Sequence, residues 1–248
     1  MTDWQHQIAM VTGANRGIGL ALTEALIARQ LKRVYLAGRD LQAIKDTARH
    51  LENPYTQLVP LKIDITSGLD ITAASQQIPQ LDLLINNAGI ATGSGFVQST
   101  SSDIALLEMA TNYFGPVNLT RALLPALRQS SSAAIVNIGS IAGITNMPLL
   151  GPYSASKAAL HSFTQGLRAE LAKDNIFVQG VYPGPIATRL SDGYEFPKAT
   201  PADVAEIILN ALGQREEDVF PDVMSANWYE TFKANPKQLE KEYATWLG

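Results

Sequence analysis

The sequence has no cysteine among its 248 residues. This absence excludes disulfides, thiolate metal sites, iron–sulfur clusters and a cysteine nucleophile. A small secreted module held together by disulfides is excluded with them. The composition favours a reducing compartment, so we expect the protein in the cytoplasm.

An excess of positive charge and long hydrophobic runs are missing too. The 19 Lys and Arg face 23 Asp and Glu, which gives a net charge of −4 without a basic cluster. Nucleic-acid binding depends on many Lys and Arg side chains that meet phosphates, so we expect no nucleic-acid partner. The apolar runs are far shorter than the roughly 18 residues that span a bilayer, and the N-terminal residues do not resemble a signal peptide. We therefore expect no membrane segment and no export.

The few histidines show no metal-binding pattern. His6, His50 and His161 have no spacing that suits a metal ion, and we expect no metal site. A serine hydrolase is disfavoured as well, because the candidate serine, Ser140, does not lie in the Gly-x-Ser-x-Gly turn that this class requires.

The sequence does contain an alternation of short apolar runs and segments with helical periodicity. Strands are predicted at residues 8–12, 33–37, 57–62, 81–86, 133–138, 176–182 and 218–220. Helices are predicted at residues 17–29, 40–50, 101–128, 153–173 and 201–212. Two of them have predicted N-terminal caps, at Ser101 or Ser102 and at Thr200. The strands are apolar on both faces, which predicts helices on both sides of the sheet. The fold class is therefore α/β, a Rossmann-type doubly wound, seven-stranded parallel sheet.

No linker or repeat interrupts this alternation, so residues 1–248 are predicted to form a single domain. The longest aperiodic segment is 184–199, which contains Pro185, Gly193 and Pro197. It follows a strand end, where ligands bind in such sheets, and we expect a mobile loop that contacts a substrate.

The turn between the first strand and the first helix is rich in glycine. It reads Thr12-Gly13-Ala14-Asn15-Arg16-Gly17-Ile18-Gly19. Glycines let the backbone approach a ligand, and the helix N-terminus offers free N–H groups to a pyrophosphate. A tight turn without a ligand is the alternative, but the strand–turn–helix context favours a dinucleotide.

The end of the second strand distinguishes two dinucleotides. An acidic residue there binds the ribose 2′-hydroxyl of NAD, whereas an arginine accommodates the 2′-phosphate of NADP. Arg39 occupies this place, and Arg16 can bring a second guanidinium to the same phosphate. We infer NADP(H). The alternative is that Arg39 is a solvated loop residue and Asp40 the ribose ligand, but Asp40 is better interpreted as the cap of the next helix.

Three side chains are predicted to act on a carbonyl group. Tyr153 and Lys157 are four residues apart at the start of a helix, so they lie on one face. A tyrosine needs a nearby cation to work as an acid or base near neutral pH, and Lys157 can supply it. Ser140 follows the fifth strand, where its hydroxyl can hold a carbonyl oxygen.

These motifs together resemble the short-chain dehydrogenase/reductases, in the branch that consists of a single NAD(P)-binding Rossmann-fold domain. The resemblance covers nearly the whole chain. It depends on Thr12-Gly13-x3-Gly17-x-Gly19, Asn86-Asn87-Ala88-Gly89, Asn112, Ser140, Tyr153-x3-Lys157 and Pro183-Gly184, in this order.

The resemblance implies a catalytic set of Asn112, Ser140, Tyr153 and Lys157. Tyr153 would donate or accept the proton, Lys157 would bind the nicotinamide ribose and lower the phenol pKa, and Asn112 would hold a water. Cofactor contacts are implied for Gly13, Asn15, Arg16, Gly17, Ile18, Gly19, Arg39, Asp64, Ile65, Asn86, Ala88, Gly89, Tyr153, Lys157, Pro183, Gly184, Ile186 and Thr188. For two of these the residues leave alternatives open: Asp64 could cap the following turn, and Asn86 could brace the central strands.

The substrate is expected to be a small or medium apolar carbonyl compound. Residues 91–96, Ile141, Asn146, Met147, Tyr182 and the 184–199 loop are expected to line its pocket. The C-terminal aromatics from residue 218 onward are more typical of a core or a subunit interface than of substrate contact. The family usually forms dimers or tetramers through its long helices, so we expect a homodimer or homotetramer.

The sequence therefore predicts an NADPH-dependent oxidoreductase of the carbonyl reductase type, which reduces a ketone or aldehyde to an alcohol and can also run in reverse. The alternative is a non-enzymatic NADP-binding regulatory protein on the same fold. The intact set of Asn112, Ser140, Tyr153 and Lys157 argues against that alternative.

Overall fold

A computed structural model describes residues 4–97, 103–191 and 197–247. Seven parallel strands form one sheet in the order β3-β2-β1-β4-β5-β6-β7. They are β1 (Ile8–Thr12), β2 (Arg33–Gly38), β3 (Gln57–Lys62), β4 (Leu83–Asn86), β5 (Ala134–Ile138), β6 (Phe177–Val181) and β7 (Asp218–Val219). The predicted fold class and all seven predicted strands are confirmed.

Helices cover both faces of the sheet. They are α1 (Gly17–Ala28), α2 (Leu41–His50), α3 (Gly68–Gln77), α4 (Asp103–Met109), α5 (Gly115–Leu127), α6 (Gly151–Leu171), α7 (Pro201–Gly213), α8 (Val223–Ala234) and α9 (Pro236–Ala244). Alternate residues of β1 face opposite sides: Val11 packs in a cluster with Leu26 of α1, and Met10 packs in a second cluster with Leu123 of α5. Because both faces bury apolar side chains, the strands carry no polar alternation.

The predicted helix at 101–128 is divided. A π-helical turn, Ala110–Phe114, separates α4 from α5, and the proposed capping residues Ser101 and Ser102 lie outside the described residues. The Thr200 cap is confirmed, since its Oγ1 accepts a hydrogen bond from the N–H of Asp203. Helices α3, α8 and α9 were not predicted, because their sequences carry many small or polar residues and only narrow apolar faces.

The strand order reverses between β1 and β4, which leaves a crevice at the carboxyl ends of the strands. The C-terminal helices fold back beside it: Leu239 and Tyr243 of α9 are fully buried in a cluster with Met147 and Tyr153. Within the described residues, no helix is both long enough and apolar enough to span a membrane.

Candidate active site

The crevice contains a cavity of about 570 Å³. Most of the residues that were predicted to bind the cofactor line it. They are Gly13, Asn15, Arg16, Gly17, Ile18, Arg39, Asp64, Ile65, Ala88, Gly89, Tyr153, Lys157, Pro183, Gly184, Ile186 and Thr188, and Ser140 lines it too. The motifs are thus brought together at one place, although they are spread over more than half of the chain.

The glycine turn forms one end of the cavity. Gly13 and Gly17 have φ of 65° and 54°, a conformation that favours glycine. Helix α1 begins after Arg16, and no side chain caps its first N–H groups. These uncapped amides and the positive end of the helix dipole fit a pyrophosphate.

Gly19 belongs to this turn but does not line the cavity. A Cβ at this position would lie 2.2 Å from the Gly13 carbonyl oxygen and 2.4 Å from Asn87 Nδ2. The Asn87 amide donates hydrogen bonds to the carbonyl oxygens of Thr12 and Gly13 at 2.8 and 3.3 Å. Gly19 therefore supports the turn through close packing. It does not line the cavity in which the cofactor is expected.

Two arginines lie at the same end of the cavity. Arg16 and Arg39 are exposed, and neither forms an ion pair with a carboxylate in the part of the chain that the structure describes. Asp40 Oδ1 accepts hydrogen bonds from the N–H groups of Gln42 and Ala43 at 2.9 and 3.1 Å, so its predicted capping role is confirmed. The two guanidinium groups are available to an anionic ligand.

Asp64 combines both of its expected positions. It lines the cavity, and its Oδ1 accepts hydrogen bonds from the N–H and the hydroxyl of Thr66 at 2.9 and 2.7 Å. The carboxylate therefore also shapes the turn that follows β3.

The predicted cofactor contact of Asn86 is corrected, because its side chain points away from the cavity. It is buried, and its amide donates to Asn137 Oδ1 at 2.8 Å and to Thr120 Oγ1 at 3.1 Å. Asn137 in turn donates to Thr164 Oγ1 at 3.0 Å. Asn86 braces the central strands, which was its alternative interpretation, and the next residue, Asn87, lines the cavity instead.

Asn112 likewise contacts protein groups and does not line the cavity. Its Oδ1 accepts from the N–H of Ile90 at 2.9 Å, while its amide donates to the Ile90 carbonyl at 2.8 Å and to Ser156 Oγ at 2.9 Å. A Cβ on Gly89 would lie 3.1 Å from Asn112 Oδ1 and 3.5 Å from Lys157 Nζ, so these groups adjoin one another. The water that the resemblance implies for Asn112 stays a prediction.

Tyr153 and Lys157, the predicted catalytic pair, lie near the start of α6. Lys157 is buried, and its ammonium donates a hydrogen bond to the Ile138 carbonyl oxygen at 2.7 Å. The same ammonium lies 5.8 Å from the centre of the Tyr153 ring. Ser140 Oγ, which follows β5, accepts from the N–H of Ala142 at 3.1 Å. The phenol, the ammonium and the hydroxyl all border the cavity.

Burial shifts the pKa values of both Tyr153 and Lys157. Desolvation raises the pKa of Tyr153 to about 12; a hydrogen bond with Ser140 opposes this rise, and the charge of Glu108 adds to it. Desolvation also lowers the pKa of Lys157 to about 8. For the protein alone burial dominates the pKa of Tyr153, and the lowering that the resemblance implies for Lys157 stays a prediction. In this state the phenol is a proton donor.

The inner end of the cavity is apolar. Its lining there includes Ile90, Ala91, Ile141, Met147, Leu149, Leu150, Leu190, Trp228 and Trp246. The two tryptophans come from the C-terminal segment. They pack against the buried cluster that contains Tyr153, as expected of core residues, and they also line the cavity. Their distance from Tyr153 in sequence left no local signal of this contact.

Tyr182 does not line the cavity, contrary to expectation. It is buried behind the cavity, where its hydroxyl contacts His161 Nδ1 at 2.7 Å and donates to Asp218 Oδ1 at 3.2 Å. Asn146 and Phe96 do not line the cavity either; the Asn146 amide donates to the Gly151 carbonyl oxygen at 3.4 Å.

The 184–199 segment is described except for residues 192–196, which lie outside the described residues. The N–H of Gly184 donates to Asp222 Oδ2 at 2.7 Å, and Ile186 pairs with Ala199 in a short parallel bridge. Lys198 Nζ donates to the Ser191 carbonyl at 2.7 Å. Residues 184–186 and 188–191 line the cavity, while the mobility of the segment stays a prediction.

A family model described as short chain dehydrogenase matches residues 7–196. An uncharacterized oxidoreductase of Staphylococcus saprophyticus is 35% identical over 224 residues, which cover 86% of this chain and 94% of that protein. The NADP-dependent 3-hydroxy acid dehydrogenase of Schizosaccharomyces pombe is 34% identical over 243 residues, with 90% and 93% covered.

Solved structures agree with these matches. The crystal structure of a short chain dehydrogenase from Burkholderia cenocepacia in complex with NADP superposes with a TM-score of 0.90. The two proteins are 33% identical, and the match covers 98% of this chain and 99% of the other. The likeness therefore extends beyond the glycine turn to the C-terminal helices.

Proposed function

Because the chain belongs to the short-chain dehydrogenase/reductase family, we propose that it is an NADPH-dependent oxidoreductase that reduces a ketone or aldehyde to an alcohol. The reverse oxidation uses the same groups. The observation that carries the proposal is the meeting of Tyr153, Lys157 and Ser140 at one cavity with an uncapped glycine turn.

The cavity fits a phosphorylated dinucleotide. The N–H groups at the start of α1 would hold the pyrophosphate, and Arg16 and Arg39 would hold the 2′-phosphate through charge-assisted hydrogen bonds. A relative and a solved structure that carry NADP in their names support this choice of cofactor. When bound, the cofactor supplies the hydride that adds to the carbonyl carbon.

Tyr153 supplies the proton. As the carbonyl carbon is reduced, negative charge develops on its oxygen, and Tyr153 transfers its phenolic proton there, so that the alcohol O–H forms as the phenol O–H breaks. Ser140 holds that oxygen by a hydrogen bond. The Lys157 ammonium stabilises the phenolate that remains, which then regains a proton from solvent.

The lining of the inner cavity supports an apolar substrate. Trp228, Trp246 and Met147 offer aromatic and polarisable surface, whereas Lys157 is the cation at the reacting centre and already has a protein partner. The exposed Arg189 also borders the cavity but belongs to the segment near the glycine turn. An uncharged ketone or aldehyde with an aromatic or branched apolar group fits this lining.

A substrate panel tests the proposal. Aryl ketones, aliphatic ketones, aldehydes, sugars and 3-oxo acids are incubated with the protein and NADPH, and the NADPH absorbance is followed. We expect turnover of apolar ketones or aldehydes, with aryl compounds ahead of acetone. Turnover of charged 3-oxo acids alone would contradict the apolar assignment, and tight NADPH binding without any turnover would favour the regulatory alternative.

A further inference from the structure

Glu108 is a buried carboxylate that the mechanism does not use. It lies in α4 and is 1% exposed. Its Oε1 accepts a hydrogen bond from the N–H of Thr92 at 2.6 Å. Its Oε2 is buried and has no hydrogen-bond partner within 4–97, 103–191 and 197–247. Burial of an incompletely paired carboxylate is costly, so this position requires a compensating role.

Glu108 and Asn112 hold the same stretch of backbone. They are four positions apart, across the junction of α4 and the π-helical turn. Asn112 binds both backbone groups of Ile90, and Glu108 binds the N–H of Thr92. Ile90 and Ala91 line the cavity, so the two side chains fix one of its walls.

The same stretch is connected to Tyr153. Asn112 donates to Ser156 Oγ at 2.9 Å, and the Ser156 hydroxyl donates to the Tyr153 carbonyl oxygen at 2.7 Å. Further along, the Phe96 ring packs on Gly151, where a Cβ would lie 2.5 Å from the ring. The wall that Glu108 anchors therefore packs against the first turn of α6.

Two charged side chains belong to the elements around Tyr153. The Lys157 ammonium of α6 lies 5.8 Å from the centre of the Tyr153 ring. Glu108 of α4 binds the N–H of Thr92, next to Ala91, which packs against the buried cluster that contains Tyr153. A negative charge beside the phenol disfavours the phenolate. The protonated phenol is the form that can donate to a carbonyl oxygen.

We propose that Glu108 is a positioning residue for Tyr153, which acts through the Ile90–Thr92 backbone and through its negative charge. The inference rests on the proposed function, in which Tyr153 is the proton donor. Glu108 thereby holds the phenol in place and favours its protonated form, without touching the substrate.

Two substitutions separate the two effects. Glu108→Gln keeps an oxygen that can accept from the Thr92 N–H but removes the charge, whereas Glu108→Met removes both. The ionisation of Tyr153 is followed through the near-ultraviolet absorbance of its phenolate. Each titration is repeated with a protein that also carries Tyr153→Phe, and the second curve is subtracted from the first so that only the Tyr153 signal remains. Hydrogen exchange of the Thr92 amide reports the anchor, which is the hydrogen bond from the Thr92 N–H to Glu108. Glu170→Gln, at an exposed position on α6, is the matched control.

We expect Glu108→Gln to raise the Tyr153 phenolate fraction about threefold or more at a fixed alkaline pH, with Thr92 exchange unchanged. Glu108→Met should raise the phenolate fraction and also speed Thr92 exchange, and Glu170→Gln should change neither. An unchanged phenolate titration in Glu108→Gln overturns the role of the charge, and unchanged exchange in Glu108→Met overturns the anchor.

The test does not depend on these variants alone. If they fail to fold, fast exchange of the Thr92 amide in the unaltered protein would still overturn the anchor. Neither readout requires turnover, so the two proposals fail separately. Retained turnover in Tyr153→Phe would contradict the proposed function. Loss of turnover in Tyr153→Phe, together with an unchanged phenolate titration in Glu108→Gln, would contradict only the inference about Glu108.

Discussion

The Lys157 ammonium donates a hydrogen bond to the carbonyl oxygen of Ile138, the last residue of β5, at 2.7 Å. This bond ties the second turn of α6 to the strand that leads to Ser140. The lysine and the serine are therefore held relative to each other by the sheet itself. Because Tyr153 lies one helical turn before Lys157, the phenol is fixed by the same contact.

Tyr153→Phe should abolish carbonyl reduction, because the phenol is the proposed proton donor and the substitution removes only its hydroxyl. NADPH binding should stay within about twofold, since the ring is kept. Steady-state turnover and fluorescence titration with NADPH measure the two effects. Tyr55→Phe, at an exposed position, is the control and should leave both unchanged. Retained turnover in Tyr153→Phe would contradict the assignment of Tyr153 as the proton donor.

Arg39→Ala should weaken NADPH much more than NADH. The substitution removes a charge-assisted contact worth about 1.5–3 kcal/mol, which corresponds to about 10- to 150-fold in the NADPH dissociation constant. Arg49→Ala is the control, because Arg49 is exposed and pairs with Asp46 away from the cavity. Equal binding of NADPH and NADH by the unaltered protein would contradict the 2′-phosphate site.

Gly19→Ala should destabilise the protein and disrupt cofactor binding. Its Cβ would lie 2.2 Å from the Gly13 carbonyl oxygen, so the backbone of the turn must move, at a cost of about 1–3 kcal/mol. Gly166→Ala, in α6, meets nothing within 4 Å and should instead stabilise by about 0.5–1 kcal/mol. Thermal and urea unfolding compare the two variants, and equal stability would show that Gly19 is not held by close packing.

The stability of the protein should depend on pH through Lys157. Burial lowers the pKa of this lysine to about 8, below its ordinary 10.5, so the folded state disfavours the ammonium form. Between these values the unfolded chain binds more protons than the folded one, and the free energy of unfolding rises with pH. The stability relative to Lys157→Met should therefore rise by up to about 3 kcal/mol from pH 8 to 10.5.

Urea unfolding at several pH values measures this difference. Lys173→Met, which replaces an exposed lysine, is the control. A stability difference for Lys157→Met that does not change with pH would mean that the lysine is not buried as a charged group.

Short-range spacing made much of the site predictable. The glycine turn and the Tyr153–Lys157 pair are each defined within one or two turns of chain, where backbone geometry fixes which side chains are neighbours. The strand alternation then placed Ser140 at the same edge of the sheet, because carboxyl ends of parallel strands lie together.

Other residues could not be placed by such rules. Asn86 and Asn87 are adjacent, and only the direction of each side chain at the end of β4 decides that Asn87 lines the cavity. Trp228 and Trp246 reach the cavity because α8 and α9 fold back over it, a long-range packing choice with no local sequence signal. Glu108 is buried, although no local sequence pattern predicts the burial of a charged residue at this position.

The hydrogen bond between the side chains of Asn86 and Asn137 also helps to fix the register of β4 against β5. The two residues are direct partners in the β4–β5 ladder, and their side chains bond at 2.8 Å. A slip of one residue would turn one amide to the opposite face of the sheet and break the bond. Gly89 and Ser140 line the cavity, and each lies three residues beyond one of these asparagines. The register of β4 and β5 therefore sets the distance between these two parts of the cavity lining.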